Sequence, residues 1–158
     1  MAYDYDARDL SAFTGTEYYK TAAPAPIDQV YLSLRAIKNE ESGVKDVSKV
    51  VLGYSCKNTA WEIDESGKLL SAAPVYPGND TVSKRMSQED TEKGWSSAYG
   101  IPYMTYTTED GSRYFLWYED SRSVRLKLDT ARLFGINSIS LWRLGTIPDY
   151  SDWSWSFQ

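Results

Sequence analysis

Aromatic and carboxylate side chains alternate at the start of the chain, in the residues Tyr3, Asp4, Tyr5 and Asp6. An aromatic ring offers a flat apolar face with a polar rim, and a carboxylate accepts hydrogen bonds from hydroxyl and amide groups. This alternation is typical of a strand end that faces a polar, ring-shaped ligand. An ordinary frayed terminus is the alternative interpretation.

The residue types limit the chemistry that the chain can perform. It has one cysteine, Cys56, and no histidine, which excludes Cys/His zinc sites, His-based triads and an internal disulfide. We therefore predict no metal and no cofactor, and an inert, buried thiol. Glu119 and Asp120 resemble a catalytic pair, but their place before a helical pattern favours capping of that helix.

Charge and composition narrow the class of partner. The net charge of −5 argues against nucleic acid, and no apolar run approaches the roughly 18 residues that span a bilayer. No secretion signal is visible in the sequence, which leaves the localisation of this chain undetermined. The 6 Trp and 13 Tyr exceed what a core of this size absorbs, so some rings need a surface role with a carbohydrate or protein partner.

The first third of the chain reads as strand, helix and strand. Residues 1–6 form a predicted short strand, followed by a loop with Gly and Pro. Apolar residues then recur every three or four positions from Ile27, which predicts a helix ending near Gly43. The apolar stretch 49–55, K-V-V-L-G-Y-S, is typical of a parallel strand covered on both faces.

The middle of the chain predicts a small antiparallel unit. Turns at Gly67 and at Asp110-Gly111 each join two candidate strands. Between them lies a polar stretch, predicted to be helical around Ser87–Lys93.

The last third returns to the helix and strand pattern. Asp120 or Ser121 is the predicted N-cap of a helix that Gly135 ends, and the strand 137–145 follows. Crossover helices between strands imply a parallel sheet, and three such strands leave two bare edges, so the pattern is that of part of a larger fold. The tail 149–158 is expected to be an edge strand or the start of a linker.

With these elements in place, the chain resembles the C-terminal portion of a glycoside hydrolase family 18 (chitinase-like) catalytic domain. Within the family it looks closest to the bacterial spore-cortex and cell-wall N-acetylglucosaminidases. M-A-Y-D-Y-D resembles the sixth barrel strand and K-V-V-L-G-Y-S the seventh. Residues 117–145 resemble the segment that contains helix seven and strand eight.

The resemblance implies an α/β fold, namely the last three strands of a (β/α)8 barrel with an inserted α+β subdomain. Residues 1–55 would hold strands six and seven with their helix, and 56–117 the antiparallel insertion. Residues 118–148 would hold helix seven and strand eight, and 149–158 the tail. The parent enzyme would be secreted or associated with the cell wall or spore of a bacterium.

The resemblance also implies substrate-binding residues. Tyr3 would hydrogen-bond the acetamido group of the sugar, Asp4 would contact hydroxyl or acetamido groups, and Trp142 would form the apolar floor of the pocket. Tyr54, the aromatic that follows the Leu-Gly of the seventh strand, and Trp61 complete the expected set. Simple core packing is the alternative for Trp142 and for Trp61 together with Trp117.

The family's catalytic signature, Asp-x-x-Asp-x-Asp-x-Glu, does not occur in this sequence: Asp6 and Asp9 have the first spacing, but Ser11 stands at the next acidic position. The expected function is therefore the binding part of a hydrolase acting on β-1,4-linked N-acetylglucosamine polymers, chitin or peptidoglycan, without the catalytic acid. Two alternatives stay open: a non-catalytic carbohydrate-binding module, and a partial barrel that self-associates. The expected partners are an amino-sugar polymer and either the rest of the barrel or a second copy of the chain.

Overall fold

The computed structural model describes residues 1–143, 146 and 147, which form two sheets and three α-helices. The helices are α1 (Ile27–Ile37), α2 (Asn79–Met86) and α3 (Ser121–Leu133). The strands are β1 (Val51–Ser55), β2 (Thr59–Ile63), β3 (Glu92–Ser96), β4 (Ile101–Thr107), β5 (Arg113–Trp117) and β6 (Ser138–Trp142).

Strands β1 and β6 form a parallel pair, although 82 residues separate the end of one from the start of the other along the sequence. Val51 lies beside Ser138 and Ser55 beside Trp142, so both strands end at the same level. Leu52 of β1 is buried against α1 and α3, in a core that those two helices share. This confirms the prediction that 49–55 and the strand after α3 are parallel.

The second sheet is antiparallel, with the strand order β2-β5-β4-β3. Leu10 and Tyr19, from the loop before α1, cover one face and bury Trp61, Phe115 and Trp117. Helix α2 covers the other face, where its Val82 packs in a separate apolar cluster. The hairpin turn predicted at Asp110-Gly111 joins β4 to β5, and Gly111 has the positive φ of 88° that such a turn requires.

The first six residues form no strand, which corrects the prediction for this segment. The amide of Ala2 donates to Gly53 O at 2.8 Å, so the segment lies beside β1, but the pairing does not continue. It ends because Asp4 takes a left-handed backbone conformation, with φ of 65°, which aspartate tolerates better than most residues. The left-handed turn at Asp4 breaks the extended path.

Three further predictions about elements were wrong. Helix α1 ends at Ile37 rather than near Gly43, because the Asn39 carboxamide oxygen accepts hydrogen bonds from the next backbone amides and starts a turn. The polar helix is 79–86, and Glu92 and Lys93 begin β3 instead. Between Gly67 and α2 there is no strand but two isolated bridges, Leu69 to Ile63 and Val75 to Ala60.

The start of α3 matches its prediction in detail. The Asp120 carboxylate accepts a hydrogen bond from the Ser123 amide at 2.8 Å, and the Ser123 hydroxyl accepts one from the Asp120 amide at 2.9 Å. This reciprocal arrangement is a capping box. Gly135, with φ of 75°, follows the end of the helix as expected.

No helix in the described part of the chain has the length and apolar character needed to cross a bilayer. The tail 149–158, predicted as an edge strand or linker, lies outside the described residues.

We expect Asp120→Ala to lower the free energy of unfolding by about 0.5–2 kcal/mol, because it removes the side-chain acceptor of the capping box. Urea denaturation followed by circular dichroism measures the change. Asp120→Asn is the matched control, since an amide oxygen also caps a helix and most of the stability should remain. Equal losses for both variants would contradict the capping role.

Candidate functional site

A cavity of about 400 Å³ opens at the carboxyl ends of β1 and β6. Its lining comes from residues 55–58 at the end of β1, from residues 76–79 at the start of α2, from Trp142, Arg143 and Thr146 at the end of β6 and beyond it, and from Asp4. Side chains that follow parallel strands meet at one edge of the sheet, which is where ligands bind in parallel α/β folds. We refer to this cavity as the strand-end cavity.

Trp142 lines the strand-end cavity with an exposed aromatic ring. The alternating strand geometry turns Leu141 towards the cluster around Tyr54 and Val124, while Trp142 remains 60% exposed. A tryptophan that exposes this much of its ring is available to stack on a ligand. Its position argues against the alternative that it is only a core residue.

Asp4 is held at the mouth of the cavity by Lys57. The Lys57 ammonium donates to Asp4 Oδ1 at 2.6 Å and to Asp6 Oδ1 at 2.8 Å. The side chain of Asp4 is half exposed, whereas that of Asp6 is 2% exposed. One carboxylate therefore anchors the lysine in the protein, and the other presents free oxygen lone pairs to the cavity.

Other groups complete the surroundings of Lys57. Its ammonium lies 4.9 Å from the centre of the Tyr76 ring, a cation–π distance. The second oxygen of Asp6 accepts long hydrogen bonds from Thr59 at 3.4 Å and Tyr76 at 3.5 Å. Burial disfavours the charged lysine, but its hydrogen bonds to Asp4 and Asp6 outweigh that effect, and the pKa of Lys57 is raised.

A second ion pair lies behind the cavity. Glu119 and Lys127 are each 1% exposed and their charged atoms are 2.7 Å apart. The Ser123 hydroxyl also donates to Glu119, at 2.6 Å. Burial raises the pKa of Glu119, and the Lys127 charge opposes that rise. The expectation that both Glu119 and Asp120 serve as helix caps is therefore correct for Asp120 only. Glu119 instead neutralises the buried Lys127.

The thiol of Cys56 is buried at 1% exposure, and that burial raises its pKa. This fits the expectation of an inert thiol. Among the described residues, no group of His, Cys, Asp and Glu side chains could hold a metal ion.

The structure brings two of the five expected substrate-binding residues to the strand-end cavity, namely Asp4 and Trp142. Tyr3 does not line it, because the turn at Asp4 separates the two side chains and the Tyr3 hydroxyl donates to Met1 Sδ at 3.0 Å. Tyr54 is 2% exposed in the core beneath, and Trp61 is fully buried in the antiparallel sheet. Tyr3, Tyr54 and Trp61 were expected to line the pocket and lie outside the lining of this cavity, so their roles in substrate binding stay predictions.

The sequence interpretation missed Lys57, Asn58, Tyr76 and Asn79. Asn58 is buried, and its amide donates to Pro77 O and to Asn79 Oδ1, both at 3.1 Å, which fixes the segment before α2 against the exit of β1. The available signal was the position of Lys57 and Asn58 directly after a predicted parallel strand. Nothing in the sequence showed that Tyr76 would approach them.

The arrangement is suited to binding a sugar-like ligand. Trp142 offers an apolar face, Asp4 accepts hydrogen bonds, and Arg143 and Asn79 provide donors around the same space. The Asp4 carboxylate is already paired with a cation, so it acts here as an acceptor.

Curated relatives share part of the sequence. A cortical fragment-lytic enzyme of Bacillus subtilis is 24% identical over 98 residues, covering 62% of this chain and 22% of that protein. A second Bacillus subtilis protein, named as the sporulation-specific glycosylase YdhD, is 23% identical over 145 residues, covering 91% of this chain and 30% of the relative. No protein-family model matches the chain.

Solved structures show the same fold. The spore cortex-lytic enzyme SleL of Bacillus cereus superposes with a TM-score of 0.69 at 20% identity, over 94% of this chain and 32% of its own. A family 18 chitinase from Cycas revoluta, solved with (GlcNAc)4, superposes with a TM-score of 0.57 at 18% identity. The match covers 93% of this chain and 42% of the chitinase. The present chain is a domain like those of glycoside hydrolase family 18.

This family-18-like domain is related to the bacterial spore-cortex enzymes. Its mixed α/β architecture is that of the solved neighbours. A chitinase-like agglutinin from Robinia pseudoacacia also shares the fold, with a TM-score of 0.59 at 20% identity over 96% of this chain and 43% of its own. The domain spans less than a third of the length of the two curated relatives.

We expect Lys57→Met to destabilise the domain, because it leaves the buried Asp6 carboxylate without its cation. The loss should be about 1–3 kcal/mol, below the ~3–5 kcal/mol of fully buried pairs, since Lys57 retains 26% exposure. Because the folded pKa is raised, the stabilisation by Lys57 is present at neutral pH and is lost as the pH rises above about 10.5.

Urea unfolding of wild type and variant across pH checks this expectation. The difference between them should hold from about pH 6 to pH 9 and shrink in more alkaline buffer. Lys84→Met is the control, because Lys84 and Glu109 form an exposed pair worth little. If the Lys57 and Lys84 variants lose the same stability, the anchoring role of Lys57 is wrong.

Proposed function

We propose that this chain provides the sugar-holding part of a family 18 site and binds β-1,4-linked N-acetylglucosamine polymers, as found in chitin and peptidoglycan. The observation that carries the proposal is that Asp4 and Trp142, expected to bind sugar from the resemblance alone, line one cavity at the ends of the parallel strands. Because Asp4 and Trp142 are far apart in the sequence, only the folded structure brings them into one cavity.

In this proposal Trp142 packs beneath the apolar face of a sugar ring. Asp4 accepts hydrogen bonds from the acetamido N–H or from hydroxyl groups, and Lys57 fixes the direction of its oxygens. Tyr3 lies next to Asp4 in the sequence, and a direct role for its hydroxyl stays a prediction. Such preorganised contacts orient a substrate without transferring a proton.

The proposal includes the partial barrel. We assign the segment of residues 1–5, β1 and β6 to the positions of barrel strands six to eight, with α1 and α3 as the helices between them and β2–β5 with α2 as the insertion. The pairing of β1 with β6, the place of Ala2 beside Gly53 and the shared helix core support this assignment. Because the catalytic signature is absent from this sequence, we propose that the chain binds without hydrolysing.

A non-catalytic binding module is the second candidate function. The similarity to the Robinia chitinase-like agglutinin favours it, since that protein carries the same fold under a name that denotes binding. Both candidates place the sugar in the strand-end cavity. They differ in whether the chain acts with the remainder of a hydrolase.

We expect the chain to bind chitotetraose, and Trp142→Ala to weaken that binding by about tenfold or more, because the variant removes the stacking surface. Isothermal titration calorimetry measures both affinities. Leu133→Ala is the control, since Leu133 is 84% exposed and does not line the cavity. Unchanged affinity in the Trp142 variant would refute the site.

We further expect no release of shorter sugars when the chain is incubated with chitotetraose, because the complete signature Asp-x-x-Asp-x-Asp-x-Glu, which ends in the catalytic acid, does not occur in the sequence. Chromatography of the reducing sugars tests this, with the chain at high concentration over many hours. Hydrolysis would contradict the proposal. Neither binding nor hydrolysis, together with a dimer in solution, would favour the self-associating alternative.

A further inference from the structure

A second cavity, of about 460 Å³, lies on the antiparallel sheet. We call it the lateral cavity. Its floor is aromatic and buried, formed by Tyr19, Phe115 and Trp117. It shares no lining residue with the strand-end cavity. Its volume falls within the ~300–1,000 Å³ typical of small-molecule sites.

The aromatic walls of the lateral cavity are held in place. The Tyr103 ring is stacked on Phe115, with 5.2 Å between centres and 22° between planes. It lies across Gly94 of the neighbouring strand, where an added Cβ would meet the ring at 2.4 Å. The Arg122 guanidinium lies 3.7 Å from the centre of the Trp95 ring and supports it. Both rings are therefore preorganised.

Polar groups of the walls are left free. The Tyr103 hydroxyl, the Trp95 indole N–H and the Thr105 hydroxyl have no hydrogen-bond partner among the residues that the structure describes. Around them lie Arg113 and Glu92, whose charges are 3.7 Å apart. That separation is loose for an ion pair, and both groups can still reach a ligand.

An aromatic floor with unpaired donors and acceptors at its rim matches the two sides of a pyranose ring. The C–H face of a sugar packs on aromatic carbon, and its hydroxyls satisfy the polar rim. A purely apolar ligand would cover the Tyr103 and Thr105 hydroxyls without giving them hydrogen-bond partners, which is costly. The net charge of −5 disfavours nucleic acid.

We propose that the lateral cavity is a second saccharide-binding site, separate from the strand-end cavity. It would hold a short, neutral saccharide against Trp95 and Tyr103. The inference does not depend on the proposed function, since the two cavities are lined by different residues. Either proposal can therefore be refuted without affecting the other.

Amide ¹H–¹⁵N correlation spectra of the whole chain, titrated with chitotetraose, test the proposal. We expect two groups of shifted amides, one around Lys57 and Asn58 and one around Gly94 and Thr105, which saturate independently. Trp95→Ala should weaken the second group's response by about tenfold while the first group is unchanged. Trp142→Ala should do the reverse.

Two variants keep the test decisive. Tyr103→Phe removes only a free hydroxyl and should weaken binding at the lateral cavity severalfold, even if Trp95→Ala fails to fold. Tyr114→Phe is its matched control, because Tyr114 stacks on Tyr106 at the opposite face of the sheet.

The outcomes separate the two proposals. Absence of shifts around Gly94 and Thr105 at saturating chitotetraose would overturn the lateral site, as would shifts that persist unaltered in Trp95→Ala and Tyr103→Phe. Shifts in that group alone would support the lateral site and refute the proposed function of the strand-end cavity.

Discussion

The bond network of Lys57 is the interaction on which the candidate site depends. One ammonium connects the N-terminal segment to the exit of β1 through Asp4 and Asp6. Asp6 in turn reaches Thr59 of β2 and Tyr76 before α2. The N-terminal segment has no continuous strand pairing, so this charge cluster and the backbone hydrogen bonds of Ala2 and Tyr5 hold Asp4 at the cavity that Trp142 also lines. The Lys57 and Asp6 charges are largely buried, so removing one of them leaves the other unpaired and lowers the stability of the fold.

Patterns local in sequence predicted most of the fold. Three features depend only on neighbouring residues in the sequence, and each was found where expected. They are the β-branched run of β1, the Asp-Gly turn between β4 and β5, and the helix cap at Asp120. The failures have two causes, one local and one long-range. Asn39 ended α1 early through its own side chain, and the polar stretch at Glu92 became a strand because β4 offered a partner with Tyr103 above Gly94.

The candidate site was only half predictable. The resemblance named Asp4 and Trp142, and both line the strand-end cavity, because strand ends meet at one edge of the sheet in this fold. It also named Trp61, whose ring the antiparallel sheet and the loop before α1 enclose completely. Lys57 could not be found from spacing, since it pairs with residues 53 and 51 positions away. Such contacts exist only after both sheets have assembled.

The most direct test of the account is a double-mutant cycle on chitotetraose affinity, using Asp4→Asn, Lys57→Met and the combined variant in calorimetric titrations. If Lys57 acts by holding Asp4 against the sugar, each change weakens binding and the combined variant is little worse than either, with a coupling of about 0.5–3 kcal/mol. Strictly additive losses, or full affinity in Lys57→Met, would contradict the account.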